Sequence, residues 1–206
     1  MSADKRFVLP NNPILNKIAD DVDITKILSP EISDLIEQML NVAYGEQTDR
    51  SKPVLVGLAA PQIGISKRII LVDVGADGHG GISNIQVFIN PKIIEYSKDQ
   101  AQWYEGCYST DRVCGIVSRP IKIELSAYDK NGKKIRREYS GYTARIFQHE
   151  IDHLNGKEFI THITDDNNLH WVEEDEFPFY RDKEAWRSWP NKCSRQKWLS
   201  IKEVKN

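Results

Sequence analysis

Long apolar runs are absent from this chain of 206 residues. No stretch approaches the ~20 consecutive apolar residues needed to cross a bilayer, which excludes a membrane-spanning helix. The opening "MSADKRFVLPNNP" has no apolar core of the signal-peptide kind, which argues against secretion. Cysteine is scarce. Cys107, Cys114 and Cys193 are odd in number and share no close paired spacing, so a disulfide framework is not expected. A cytoplasmic location fits, or an organellar one if a transit peptide has been removed, and a thiolate is left free to bind metal. An excess of one charge is missing too: 28 Lys and Arg face 30 Asp and Glu, for a net charge of −2. A chain whose main task is nucleic-acid binding is usually more basic. There is no internal repeat, and the length suits one domain.

Residues 29–44, "SPEISDLIEQMLNVAY", predict a helix. Ser29 can cap it, Pro30 takes the first helical position, and Ile32, Leu35, Ile36, Met39, Leu40 and Ala43 share one face. The polar segment "GEQTDRSKP" follows. "RIILVDV" reads as a buried strand, "GADGHGGISN" as a loop, and "IQVFINPKII" as another strand. Alternation on both sides of Asn131-Gly132 predicts a hairpin with a two-residue turn. "SGYTARIFQHEIDHLNG" predicts a second helix, capped by Ser140 and stopped by Gly156 in a left-handed conformation. Early strands and one late helix suggest α+β. The last forty or so residues hold Trp171, Trp186, Trp189 and Trp198, with a short helix expected near "RDKEAWRSW" and broken by Pro190. That aromatic content does not suit a disordered tail.

The second helix contains H-E-x-x-H. His149 and His153 stand one turn apart on one face and can hold a single metal ion. Glu150 lies at the edge of that face, in reach of a metal-bound water without ligating the metal. Catalytic sites of this kind usually need a third protein ligand. The metzincin position, three residues after Gly156, holds Phe159. Glu173 and Glu174 have the spacing of another zincin class, but their acidic run "EEDE" reads as a solvated face. The better candidate lies upstream in "WYEGCYS": Cys107 follows Gly106, which lets backbone and metal come close. Cys114 and Cys193 read as small buried side chains.

Three segments together, "GLAAPQIG", "EGCYS" and "QHEIDHLNG", resemble the three signature motifs of the peptide deformylases in order and separation. The likeness runs more loosely from "LPNNPIL" to about Phe159. It implies that Cys107, His149 and His153 bind one divalent metal, with Fe(II) favoured in the cell and Zn(II), Ni(II) or Co(II) as substitutes. Glu150 would serve as general base and then acid. Gln62 and the backbone N–H of Tyr108 would donate to the oxyanion. Val56, Gly57 and Leu58 would bind substrate, Gly57 letting its backbone approach as an added strand. The implied reaction removes the formyl group from the N-terminal formylmethionine of nascent polypeptides. Some members dock on the ribosome near the peptide exit through a C-terminal helix.

The sequence also departs from the family. Leu55 stands at a usual glycine, Tyr108 at a usual Leu or Ile, Asp111 and Arg112 of the loop "STDRVCGIVSRP" at a common Pro-Gly pair, and Thr143 at a usual leucine. These bear on substrate preference more than on reaction type. Three alternatives stay open: an amidohydrolase with another N-formyl or N-acyl substrate, a catalytically silent binding module, and a zinc endopeptidase using Glu173 or Glu174. The expected architecture is a single α+β domain with mixed or antiparallel strands around the central H-E-x-x-H helix. Residues 1–164 would form the catalytic domain, and 165–206 a Trp-rich extension packed on it.

Overall fold

Strand β2 (Ile69–Asp73) is buried along its whole length, and this organises the molecule. A computed structural model describes residues 7–48, 55–182 and 184–203. Ile69 and Leu71 face one side of β2, where they pack with Ile32, Ile36 and Met39 of helix α1 (Pro30–Thr48). Ile70 and Val72 face the other side and meet Ile146, Phe147 and Ile151 of helix α2 (Gly141–Leu154). A strand with helices over both faces favours apolar residues on both, which is why Ile69 to Val72 form a run rather than an alternation; the buried Asp73 at its end accepts from Ser83 N–H and Oγ.

The larger sheet is fully antiparallel, in the order β1 (Gly57–Ala59), β2, β3 (Ile85–Tyr96), β6 (Lys122–Tyr128) and β7 (Lys134–Ser140). A second antiparallel sheet holds β4 (Gln100–Gly106), β5 (Val113–Pro120) and β8 (Leu169–Trp171). The architecture is α+β, with α2 central: Ala144 to Ile151 are all buried.

Helix α1 is capped as expected, Ile32 N–H donating to Ser29 Oγ at 3.4 Å. It runs four residues past Tyr44 to Thr48, so the polar segment begins helical; residues 49–54 lie outside those described. Ser140 precedes α2 but makes no side-chain capping bond. Gly156 does take a left-handed φ of 67°, and a Cβ there would come within 2.8 Å of the Asn16 backbone. Only glycine lets the chain leave the helix so close to another segment.

Two readings are corrected. The hairpin loop is longer than two residues: Tyr128 pairs with Lys134, Asp129 N–H donates to Lys133 O, and only Gly132 of the Asn-Gly pair has positive φ. Asp129 Oδ1 accepts from the N–H groups of Asn131 and Lys133, and this side-chain bonding favours the wider turn. "STDRVCGIVSRP", taken for a loop, is mostly β5. Its buried Val113, Cys114 and Val117 gain their partners from β4 and from the tail.

The C-terminal residues form more than one short helix. Helix α3 (Phe177–Asp182) and a 3-10 turn (Ala185–Ser188) precede Pro190, and helix α4 (Arg195–Glu203) follows it. Trp186 and Trp189 pack with Tyr104 and Tyr180, while Trp198 joins Val113, Val117 and Phe159. No described helix is long and apolar enough to cross a membrane.

Candidate active site

Helix spacing brings the two histidines together, and β4 delivers the third group. Cys107 directly follows β4, and its Sγ lies 3.2 Å from His153 Nε2. The ligand atoms of Cys107, His149 and His153 all lie within 4.8 Å of one another. One soft sulfur and two imidazole nitrogens fit a divalent zinc, iron, cobalt or nickel ion. Burial pushes the Cys107 thiol up, but the charge of His153 and hydrogen bonds from both histidines outweigh it and hold the group well below its ordinary value. His149 Nδ1 is hydrogen-bonded to Glu105 Oε2 at 2.9 Å, which leaves Nε2 for the metal position. Glu173 and Glu174 are not part of this group: Glu173 is paired with Arg112 and accepts from Trp171 Nε1 at 2.7 Å.

Gln62 is buried in a 3-10 turn (Ala60–Ile63) just after β1. Ala59 N–H donates to its Oε1 at 2.7 Å, which fixes the amide orientation and turns Nε2 toward Cys107 Sγ, 3.1 Å away. Glu150 is buried, and its Oε2 has no hydrogen-bond partner among the described residues. Burial lifts its carboxyl to about 7, against the lowering effect of the neighbouring histidines. Tyr108 stacks its ring on Phe7, with centroids 4.6 Å apart, at the edge of the core.

These residues face a cavity of about 750 Å³. Val56, Gly57, Gln62, Cys107, Tyr108, His149 and Glu150 all line it. Leu58 does not: its side chain is fully buried in the core beside α1. Leu55 is also core-packed and forms part of the cavity wall. Gly57 is required by Glu150, because a Cβ there would sit 2.8 Å from both the Glu150 Cδ and Ile146 Cγ2. The carboxylate and the buried, β-branched Ile146 must both give way. Gly57→Ala is therefore expected to lose about 1–3 kcal/mol of stability by overpacking, read as a lower melting temperature, and roughly 100-fold in kcat, the scale of a 1 Å misplacement of a catalytic group. Retention of full activity would mean that the position of Glu150 is not critical.

Charged residues that the sequence analysis passed over hold the site from behind. Glu105 Oε1 accepts from Arg119 Nε and Arg145 Nη1, both at 2.6 Å, and Oε2 accepts from Arg119 Nη2 at 2.9 Å. Arg119 Nη1 continues to Asp152 Oδ2 at 2.8 Å. Burial alone would raise the Glu105 carboxyl, but Arg119 and His149 hold it well below its usual range. The signals were present: Glu105 is two residues before Cys107 on a strand, and Arg145 is four before His149 on a helix.

A cysteine sulfur and two imidazoles within 4.8 Å of one another, beside a cavity that an amide donor and a buried carboxylate also line, define a metal-dependent hydrolase. The family model of the polypeptide deformylases matches residues 5–168. Peptide deformylase 2 of Bacillus cereus is 38% identical over 169 residues, covering 79% of this chain and 91% of that protein. Among solved structures, a class I type b peptide deformylase from Acinetobacter baumannii with Met-Ala-Ser bound superposes with a TM-score of 0.69 at 31% identity, over 76% of this chain and 96% of the other. An inhibitor complex of Plasmodium falciparum peptide deformylase gives 0.66 at 29%, over 95% and 97%. The chain belongs to the peptide deformylase family. Its activity is the hydrolytic removal of the formyl group from nascent peptides.

Proposed function

We propose that Cys107, His149 and His153 hold one divalent ion, that Glu150 moves the proton, and that Gln62 and the Tyr108 backbone N–H stabilise the oxyanion during deformylation of N-formylmethionyl peptides. The observation that carries this reading is the buried Glu150, its Oε2 without a partner among the described residues, lining the same cavity as Cys107 and His149 of the Cys-His-His group. A bound ion supplies Lewis acidity and lowers the pKa of water from 15.7 to about 7. Glu150 takes the proton of the attacking water as its oxygen bonds to the formyl carbon. The C–N bond then breaks, and Glu150 returns the proton to the amine nitrogen, leaving formate and a free N-terminus. Gln62 suits the oxyanion because Ala59 already holds its oxygen, so a donor is aimed there before the charge forms. Each such donor is worth ~3–4 kcal/mol in other oxyanion holes.

Both sheets present an edge strand to the cavity. Among the described residues β1 pairs only with β2, and β4 only with β5; Val56 and Gly57 line the cavity on one side, and Tyr104 to Gly106 come from the other strand. An extended substrate would add to β1 as a further strand, with Leu58 contributing backbone alone. The Met-Ala-Ser complex of the Acinetobacter relative supports a peptide in this cavity.

The resident ion in this reading is Fe(II), with Zn(II), Ni(II) or Co(II) able to replace it, since the donor set suits all four. The reaction belongs in the cytoplasm, where the three free cysteines stay reduced. Residues 165–206 are an extension continuous with the 1–164 domain, supported by the β5–β8 pairing and the burial of Trp198. Ribosome docking through α4 has weaker support: Arg195, Lys197 and Lys202 are engaged by Asp166, the Trp171 ring and Glu158.

The test is formate release from formyl-Met-Ala-Ser by protein purified without air, alongside metal analysis. About one ion per chain and prompt release are expected. Cys107→Ala is expected to lose the ion and the activity together. Retention of metal by that variant would move the third ligand elsewhere and sink the assignment.

A further inference from the structure

The family match ends at residue 168, but the cavity wall continues beyond it. Val172, Glu173, Glu174, Phe177 and Arg181 line the same cavity as Cys107 and His149. This wall is firmly anchored. β8, just before it, pairs with β5, and Val172 N–H donates to Arg112 O at 3.0 Å. Glu173 is held by Arg112 and Trp171, and its own N–H donates to Glu176 Oε2 at 3.0 Å. Phe177 packs edge-on against Tyr104 of β4, with ring centroids 6.1 Å apart. The Arg181 guanidinium lies over Gly80, where a Cβ would be 3.2 Å from Cζ, and this joins the wall to the glycine-rich loop.

Glu174 is the exception. It is partly buried and lines the cavity, yet it has no hydrogen-bond or ionic partner among the described residues. A carboxylate beside apolar surface favours a cation that comes to meet it. Arg112 cannot serve, being already paired with Glu173. Val172 and Phe177 provide apolar surface for the methylene stem of a lysine or arginine whose charged end reaches the carboxylate.

We propose that the wall from Val172 to Arg181 selects among formylmethionyl peptides by the residues that follow the methionine, with Glu174 favouring a basic side chain there. The proposal rests on the deformylase reading and adds a specificity the family match does not contain.

The test is kcat/KM for two peptide series, formyl-Met-X-Ala and formyl-Met-Ala-X, with X as Lys, Gln or Glu. The wild type is expected to prefer Lys over Glu by roughly two- to fivefold in at least one series, the range of a partly exposed ion pair. Glu174→Gln should flatten that ratio, and Glu174→Lys should invert it. An unchanged ratio in both variants overturns the proposal, including the case where all rates fall together, since a merely structural role lowers every substrate alike. Failure of the underlying reading looks different: the wild type would then release no formate from any peptide in either series.

Discussion

Replacing Glu150 with glutamine is expected to lower formate release by roughly 10²- to 10⁴-fold, the contribution of a positioned acid–base group. The change is nearly isosteric, so the contacts with Gly57 and Ile146 persist. The same substitution should leave metal content unchanged, because Glu150 is not in the Cys107, His149 and His153 group. It should also leave the melting temperature level or raised. Glu150 is buried with one oxygen unpartnered, and removing that carboxylate relieves a destabilising group held for function. Activity within tenfold of wild type, measured on formyl-Met-Ala-Ser with equal metal loading, would exclude Glu150 as the proton carrier.

Arg119→Met is expected to be the most damaging change outside the catalytic set. Arg119 bridges two carboxylates, Glu105 and Asp152, and the side chains of Arg119 and Glu105 are 5% and 4% exposed. Methionine fills the space but leaves buried negative charge short of a partner. Breaking a buried pair from one side costs about 3–5 kcal/mol. Arg145 and His149 still hold Glu105, so the lower end of that range is expected. Glu105 orients His149, so metal affinity should also fall, by roughly 10- to 100-fold as for other groups behind a metal ligand. Denaturant unfolding of the metal-loaded protein and a competition titration with a chelator give the two numbers. A loss below about 1 kcal/mol would mean that the network is not needed for stability.

The two predictions differ in how readable their residues were. His149, Glu150 and His153 lie within five positions, and one turn of helix places them together whatever the rest of the chain does. The same local logic made α1, β2 and β3 legible, because burial of one or both faces imprints a period on a short segment. Arg119 and Asp152 carry no such imprint, and the spacing that puts Glu105 and Arg145 on the faces of Cys107 and His149 does not say that they are buried. Each is a charged residue that, in isolation, reads as solvent-facing. They come from β5, β4 and α2, and only the stacking of the second sheet against that helix removes them from water together.

β5 and β8 were obscured for a related reason. β5 contains Gly115, Ser118 and Arg119, which weaken its alternation, and β8 is three residues long. β5 pairs along most of its length with β4, from Gly106 with Cys114 to Gln100 with Pro120, while β8 depends on pairing across more than fifty positions, Val113 with Trp171 and Gly115 with Leu169. The hairpin turn was misjudged because the Asp129 carboxylate, rather than Asn131-Gly132 alone, sets its width.

The sequence by itself determined that His149 and His153 share one helix face beside Glu150, because helix periodicity acts over a few residues; the parts expected of Cys107 and Gln62 followed from the resemblance to the deformylases and not from any local period. The tertiary structure decided what surrounds that centre. It showed that Gly57 must be bare because Glu150 lies against it, that Leu58 turns into the core, and that residues beyond 168 supply a wall of the cavity. Those outcomes depend on contacts between segments distant in sequence, whose geometry is set by packing and leaves no local period to read.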